Sequence, residues 1–115
     1  MTLEAGKAHR LTALVRVQEG SIVSRQVLTS ACGSVSVFAF DRGEGLSEHT
    51  TPHDALVLVL EGSADVTVAG ETTRAQAGDA VILPALVPHA LSAPERFVMA
   101  LVMLRAERRD ERDEA

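Results

Sequence analysis

The chain carries four histidines, His9, His49, His53 and His89, and two of them fall inside one stretch, GEGLSEHTTPHDALVLVLEG, from Gly43 to Gly62. Two glycines open that stretch, and an apolar run, Ala55–Leu60, closes it before Glu61-Gly62. Polar groups able to ligate metal are thus delivered to the mouth of a strand, as a small binding pocket requires. In an extended chain, residues two apart face the same side. His49, Thr51, His53 and Ala55 share that parity, so His53 is expected beside His49, provided pairing continues through Pro52. Asp54 has the opposite parity and is expected to orient a neighbour or cap a turn. Glu48 joins a site only if the entry to the strand is irregular. The plainer alternative is that both imidazoles are solvated or bonded to backbone, and for an arbitrary β-protein that reading comes first. His9, alone near a chain end, is read as solvated.

The surrounding elements read as short strands divided by turns. Leu11–Val17 is a candidate first strand and Ile22–Thr29 a second. In Ser34–Phe40, Val35 and Val37 take one parity and Phe38 and Phe40 the other, so both faces meet apolar matter. Cys32, just before it, is read as a small buried packing residue. Ser63–Ala69 and Thr72–Ala75 form a hairpin about Ala69-Gly70-Glu71. Ala80–Leu83 and Pro88–Leu91 come next. Phe97–Leu104 is apolar at both parities, as in a strand covered on two sides or at a subunit contact, which makes Met99 and Met103 core filler. Eight to ten such strands, without a convincing amphipathic helix, call for an antiparallel sandwich or barrel. The expected layout is an arm over residues 1–10, one barrel domain over 11–104 and a charged, flexible tail over 105–115, where nine of eleven residues are charged.

Composition narrows the function classes. At 115 residues the chain is one domain, with 46% hydrophobic and 23% charged residues, as in ordinary globular proteins. A net charge of −5 argues against nucleic-acid and anionic-membrane partners. The apolar runs are far shorter than the roughly 20 residues that cross a bilayer. One cysteine allows no internal disulfide, and the N-terminal residues lack the apolar centre of a signal peptide, so the cytoplasm is the expected location. No Trp or Tyr is present to act as a stacking platform for sugars or bases.

Two segments resemble the motifs of the cupins, small jelly-roll barrels of the RmlC-like kind, also called the double-stranded β-helix. Gly43, His49 and Gly62 stand at the spacings of the family's first motif, and Gly78, Pro84 and His89 at those of its second. The match spans Gly43 to Ala93. Thr51 stands in place of the family's second histidine, Ala55 of its glutamate, Leu86 of the second motif's inner glycine and Ala93 of its asparagine. Of four usual metal ligands, His49 and His89 remain in register.

The resemblance implies that His89 faces His49 across the barrel, and parity adds His53. His49, His53 and His89 are therefore the expected ligands of a divalent metal, Zn, Fe, Ni or Mn, with positions left open for a small organic molecule. Ligation requires neutral imidazoles, so acid should weaken it. The resemblance then implies a metal-dependent oxygenase or isomerase. The alternative is a non-catalytic binding or sensor domain that keeps the barrel without the full metal site. A homodimer is expected from the doubly apolar Phe97–Leu104 strand and from exposed sheet edges, and cupins commonly pair.

Overall fold

Two antiparallel sheets face each other in the computed structural model, which describes residues 3–106. One carries, in spatial order, β1 (Ile22–Ser30), β2 (Gly33–Phe40), β9 (Phe97–Leu104), β4 (Asp54–Glu61) and β7 (Ala80–Leu83). The other carries β3 (Gly45–His49), β8 (His89–Ser92), β5 (Ser63–Val68) and β6 (Glu71–Gln76). This is the antiparallel sandwich that the short, turn-bounded strands call for, in the jelly-roll form that the resemblance implies.

The core lies between the sheets and follows from period-two alternation. Phe38 pairs with Met99 and Phe40 with Phe97, while Val57 and Val59 of β4 oppose Leu101 and Met99, so one parity of each strand lines the interior. Val66 of β5 and Leu91 of β8 meet that set from the facing sheet. The Phe40 and Phe97 rings stack with centroids 4.4 Å apart. Fully burying side chains of this size contributes roughly 1.5–3 kcal/mol apiece. Met99 is buried in this set, the role its apolar context predicts.

The outer face of the five-stranded sheet has a second, smaller cluster. There Leu11, Leu14, Val15 and Val17 pack over Val23, Val37, Ala39 and Val98. Leu11–Val17 is not a strand: a 3-10 turn covers Leu11–Ala13, and the following residues dock by side chain without entering a ladder. The spacing of apolar residues that suggests a strand in the sequence serves a covering arm here. The same arm touches β1 through the Leu3 N–H, which donates to the Val27 carbonyl at 3.0 Å.

Cys32 also departs from expectation. It sits exposed in the tight β1–β2 turn, its N–H held by the Ser30 hydroxyl at 3.1 Å. A two-residue connection between paired strands has no interior to offer, so composition alone misplaces it. Of the expected tail, Arg105 donates to the Cys32 carbonyl at 2.8 Å; residues 107–115 lie outside the described residues.

Candidate functional site

Antiparallel pairing of β3 with β8 brings the two motif histidines together. Gly45 opposes Ser92 and Leu46 opposes Leu91, but His49 rather than Glu48 opposes His89. Three steps along β3 thus match two along β8, the mark of a β-bulge. The extra residue reverses the parity of the rest of the strand. Leu46 packs against the core, and beyond the bulge it is His49 that stands beside His89, on the side to which Leu91 and Ala93 also point.

The two rings meet edge to face, centroids 4.4 Å apart and planes at 67°. Each is anchored in the same manner. His49 Nδ1 donates to the Ser47 carbonyl at 2.8 Å and His89 Nδ1 to the Val87 carbonyl at 3.2 Å. A carbonyl only accepts, so the proton of the neutral ring sits on Nδ1 and the lone pair on Nε2. His49 is exposed, whereas His89 retains 6% of its surface and is the single buried polar side chain among the described residues. The pair therefore presents two Nε2 acceptors at the edge of an otherwise apolar interior.

His53 is placed differently. Its Nδ1 accepts the Ala106 N–H at 2.9 Å, beyond the end of β9. The parity argument fails because residues 50–53 form a loop between β3 and β4 rather than a continuous strand. Thr51 Oγ1 closes that loop, accepting the His53 N–H at 3.3 Å and donating to the His53 carbonyl at 3.1 Å. Among the described residues no three His, Cys, Asp or Glu side chains are grouped to hold one ion. Two imidazoles without a carboxylate do not make the donor set of a resident catalytic metal, which takes three protein ligands in typical zinc sites. The expected trio is a pair in this structure.

Backbone ties fix the loops around the pair. Asp54 Oδ1 accepts the Ala85 N–H at 2.8 Å, the orienting role its parity predicts, and the Leu86 N–H donates to the Thr51 carbonyl at 2.7 Å. Leu86 adopts φ +66° and is 74% exposed. The bulge and the anchoring carbonyls of Ser47 and Val87 leave no mark in residue type, and sequence reasoning does not find them. Leu86 at a glycine position is the one sign in residue type of a strained loop here.

Comparison with known proteins bears on the same segments. A model of the cupin domain family matches residues 36–104, which contain both histidines of the pair. A conserved protein of unknown function from Streptococcus pyogenes is 34% identical, with a TM-score of 0.87 over 94% of this chain and 95% of that one. A cupin superfamily protein from Desulfitobacterium hafniense is 27% identical, with a TM-score of 0.84 over 92% and 97% of the two chains. A Cupin 2 conserved barrel domain protein from Leptotrichia buccalis is 35% identical, with a TM-score of 0.79 over 82% of this chain and 46% of that one. No curated protein matches the chain at a significant level.

Proposed function

The chain belongs to the cupin family, and from that premise we propose that it binds a small organic molecule at the His49–His89 pair, without a resident metal held by three protein ligands. The observation that carries this reading is the tautomer imposed on both rings: each Nδ1 is committed to a carbonyl, and each Nε2 is left as an acceptor. A pair of acceptors beside Leu46, Val68 and Leu91 suits a ligand that offers a hydroxyl, an enol or an undissociated acid and carries a modest apolar body. His49 is exposed and is the ring that a ligand meets first; His89 is largely buried, but no buried side-chain nitrogen or oxygen among the described residues lacks a partner, so its Nε2 is open to solvent and to a ligand that displaces it.

Metal-dependent chemistry is the second reading. It is favoured by His49 and His89 keeping the register of the family's ligands, and it requires further donors from solvent, from the bound molecule, or from His53 after it gives up Ala106. The two readings separate in one experiment. The parent, His49→Ala, His89→Ala and His53→Ala proteins are dialysed against Zn and Ni salts and assayed for metal. In parallel, ring nitrogens are followed by NMR against a panel of small hydroxy acids, carboxylic acids and β-diketones. The proposal expects Nε2 shifts at both rings of the pair, abolished by His89→Ala and kept in His53→Ala. One ion per chain surviving dialysis, and lost in all three variants, would establish the metal reading with His53 as ligand and overturn ours. A panel that moves neither ring also overturns it.

A further inference from the structure

A register shift breaks β4 near its end. Val59 opposes Met99, but Glu61 rather than Leu60 opposes Val98. In unbroken register Glu61 would oppose Phe97 and turn its carboxylate toward the core, where Met99 and Phe97 lie. The shift sets it beside Val98 instead, in the outer cluster that the arm covers. Directly opposed residues of paired strands share a face, so Glu61 points to the arm's side of the sheet. Bulges re-aim side chains in this way.

A cavity of about 430 Å³ opens at that place, lined by residues 12–17 of the arm, Glu61 and Val98. That volume falls in the range of roughly 300–1,000 Å³ of small-ligand sites. Val15 and Val17 pack on the sheet and Arg16 is exposed between them, the alternation of an extended chain. No main-chain N–H or carbonyl of residues 15–17 has a partner among the described residues. Arg16 and Glu61 line the same cavity without pairing: the ion pairs among the described residues are Arg74–Asp65 and Arg96–Asp41. The cavity thus offers one cation, one anion and an unpaired stretch of main chain.

We propose that this cavity binds a short peptide of two or three residues with free termini, laid extended along residues 15–17 of the arm. Its ammonium end meets Glu61 and its carboxylate end meets Arg16. Its main chain supplies donors and acceptors at the spacing of an extended partner, as in strand addition. Two or three extended residues span roughly 7–10 Å, the length of the stretch they pair with. Leu14 and Val98 give the cavity its apolar lining, which favours small aliphatic side chains. A free amino acid satisfies the two charges but not the main chain. A longer chain carries its charged ends past Arg16 and Glu61. The site is independent of the imidazole pair, which lies on the other sheet.

The test titrates the isotope-labelled full chain with trialanine, N-acetyl-trialanine, trialanine amide and free alanine, following backbone amide signals by NMR. Trialanine should move the amides of residues 15–17 and bind roughly tenfold more tightly than either capped form or alanine. Glu61→Gln should weaken trialanine about tenfold and leave the N-acetyl form unchanged, since that form has no ammonium to lose. Arg16→Gln should do the same for trialanine and leave the amide form unchanged. Both side chains are exposed, so both variants should fold, which their own spectra verify. Should either fail to fold, the capped peptides on the parent alone decide. Trialanine that leaves residues 15–17 unmoved at millimolar concentration overturns the proposal. So do capped forms or alanine that bind as tightly as trialanine, or variant losses that ignore which end is capped.

Discussion

At Leu86 the backbone is held at φ +66°, a conformation that a side chain with a Cβ occupies at a cost of about 1–2 kcal/mol. Leu86 is largely exposed, so its side chain returns little by burial. Leu86→Gly should therefore raise stability by about 0.5–1 kcal/mol in urea unfolding, the released strain outweighing the added freedom of the unfolded chain. A fall would show that Leu86 makes a contact worth more than the strain. His53 allows a second prediction. His53→Ala removes the acceptor of the Ala106 N–H at an exposed site where water takes its place, so the loss should stay within about 1 kcal/mol. Amide exchange at Ala106 should quicken while the His49 and His89 ring signals stay put. A disturbed pair of ring signals would put His53 in the site after all. At this scale the sequence is informative about His49 and His89, whose spacing from the glycines and Pro84 survives in the fold. It misleads about His53, because parity arguments presume an unbroken strand and Thr51 folds the chain into a turn just there.

Among the elements, the connections hold most of the specific chemistry. Gly62, between β4 and β5, sits at φ +76°, and a Cβ there would run into the Arg96 carbonyl oxygen and crowd Phe97. Gly62→Ala is expected to cost about 2–4 kcal/mol, since neither obstacle is the end of a flexible side chain. A loss under about 1 kcal/mol in thermal or urea unfolding would mean the turn can rearrange. The connection after β2 carries Asp41, whose carboxylate accepts N–H bonds from Gly20 at 2.6 Å and Arg42 at 2.8 Å and the Arg96 Nε at 2.9 Å. The Gly20 N–H, followed by the Arg96 guanidinium, holds the Asp41 carboxyl below its ordinary value of 3.8. A depressed folded value means stability that is present above the unfolded value and is lost as pH falls through the folded one. Unfolding midpoints should accordingly drop as pH is lowered from 5 through 3.8, less steeply in Asp41→Asn; equal slopes would remove Asp41 from the account. The strands themselves were legible, because alternation and turn glycines specify them locally. The bulge in β3 was not, since one unpaired residue changes no residue type and is decided by what β8 offers opposite. Leu11–Val17 misleads for a related reason: apolar spacing states that a segment is covered, not whether it joins a ladder or lies across one.

The whole molecule is a jelly roll whose five-stranded sheet has an apolar outer face, divided between the chain's own arm and an open row of Leu28, Val35, Val102, Leu56 and Ile82. The arm's share can be measured on its own. Val15 is buried against Val37, Ala39 and Val98, and Val15→Ala removes two buried methyl equivalents, roughly 1.5 kcal/mol at about 0.8 kcal/mol each. Removing residues 1–17 altogether is a larger change of the same kind. It bares Val23, Val37, Ala39, Val98 and Leu60, extending the open row over most of the sheet. The truncated protein should then unfold at lower temperature, bind a hydrophobic dye in its folded state and associate beyond the parent's own mass, because the bared residues enlarge the exposed apolar patch. Dye binding and mass separate the two roles of the face. If the truncated chain stays at the parent's mass and excludes the dye, the arm is not what limits the apolar surface. If it associates further while Val15→Ala keeps the parent's mass at lower stability, the arm both stabilises the sheet and limits its open apolar surface. That second outcome is the one the packing predicts, since Val15→Ala thins the cover without lifting it.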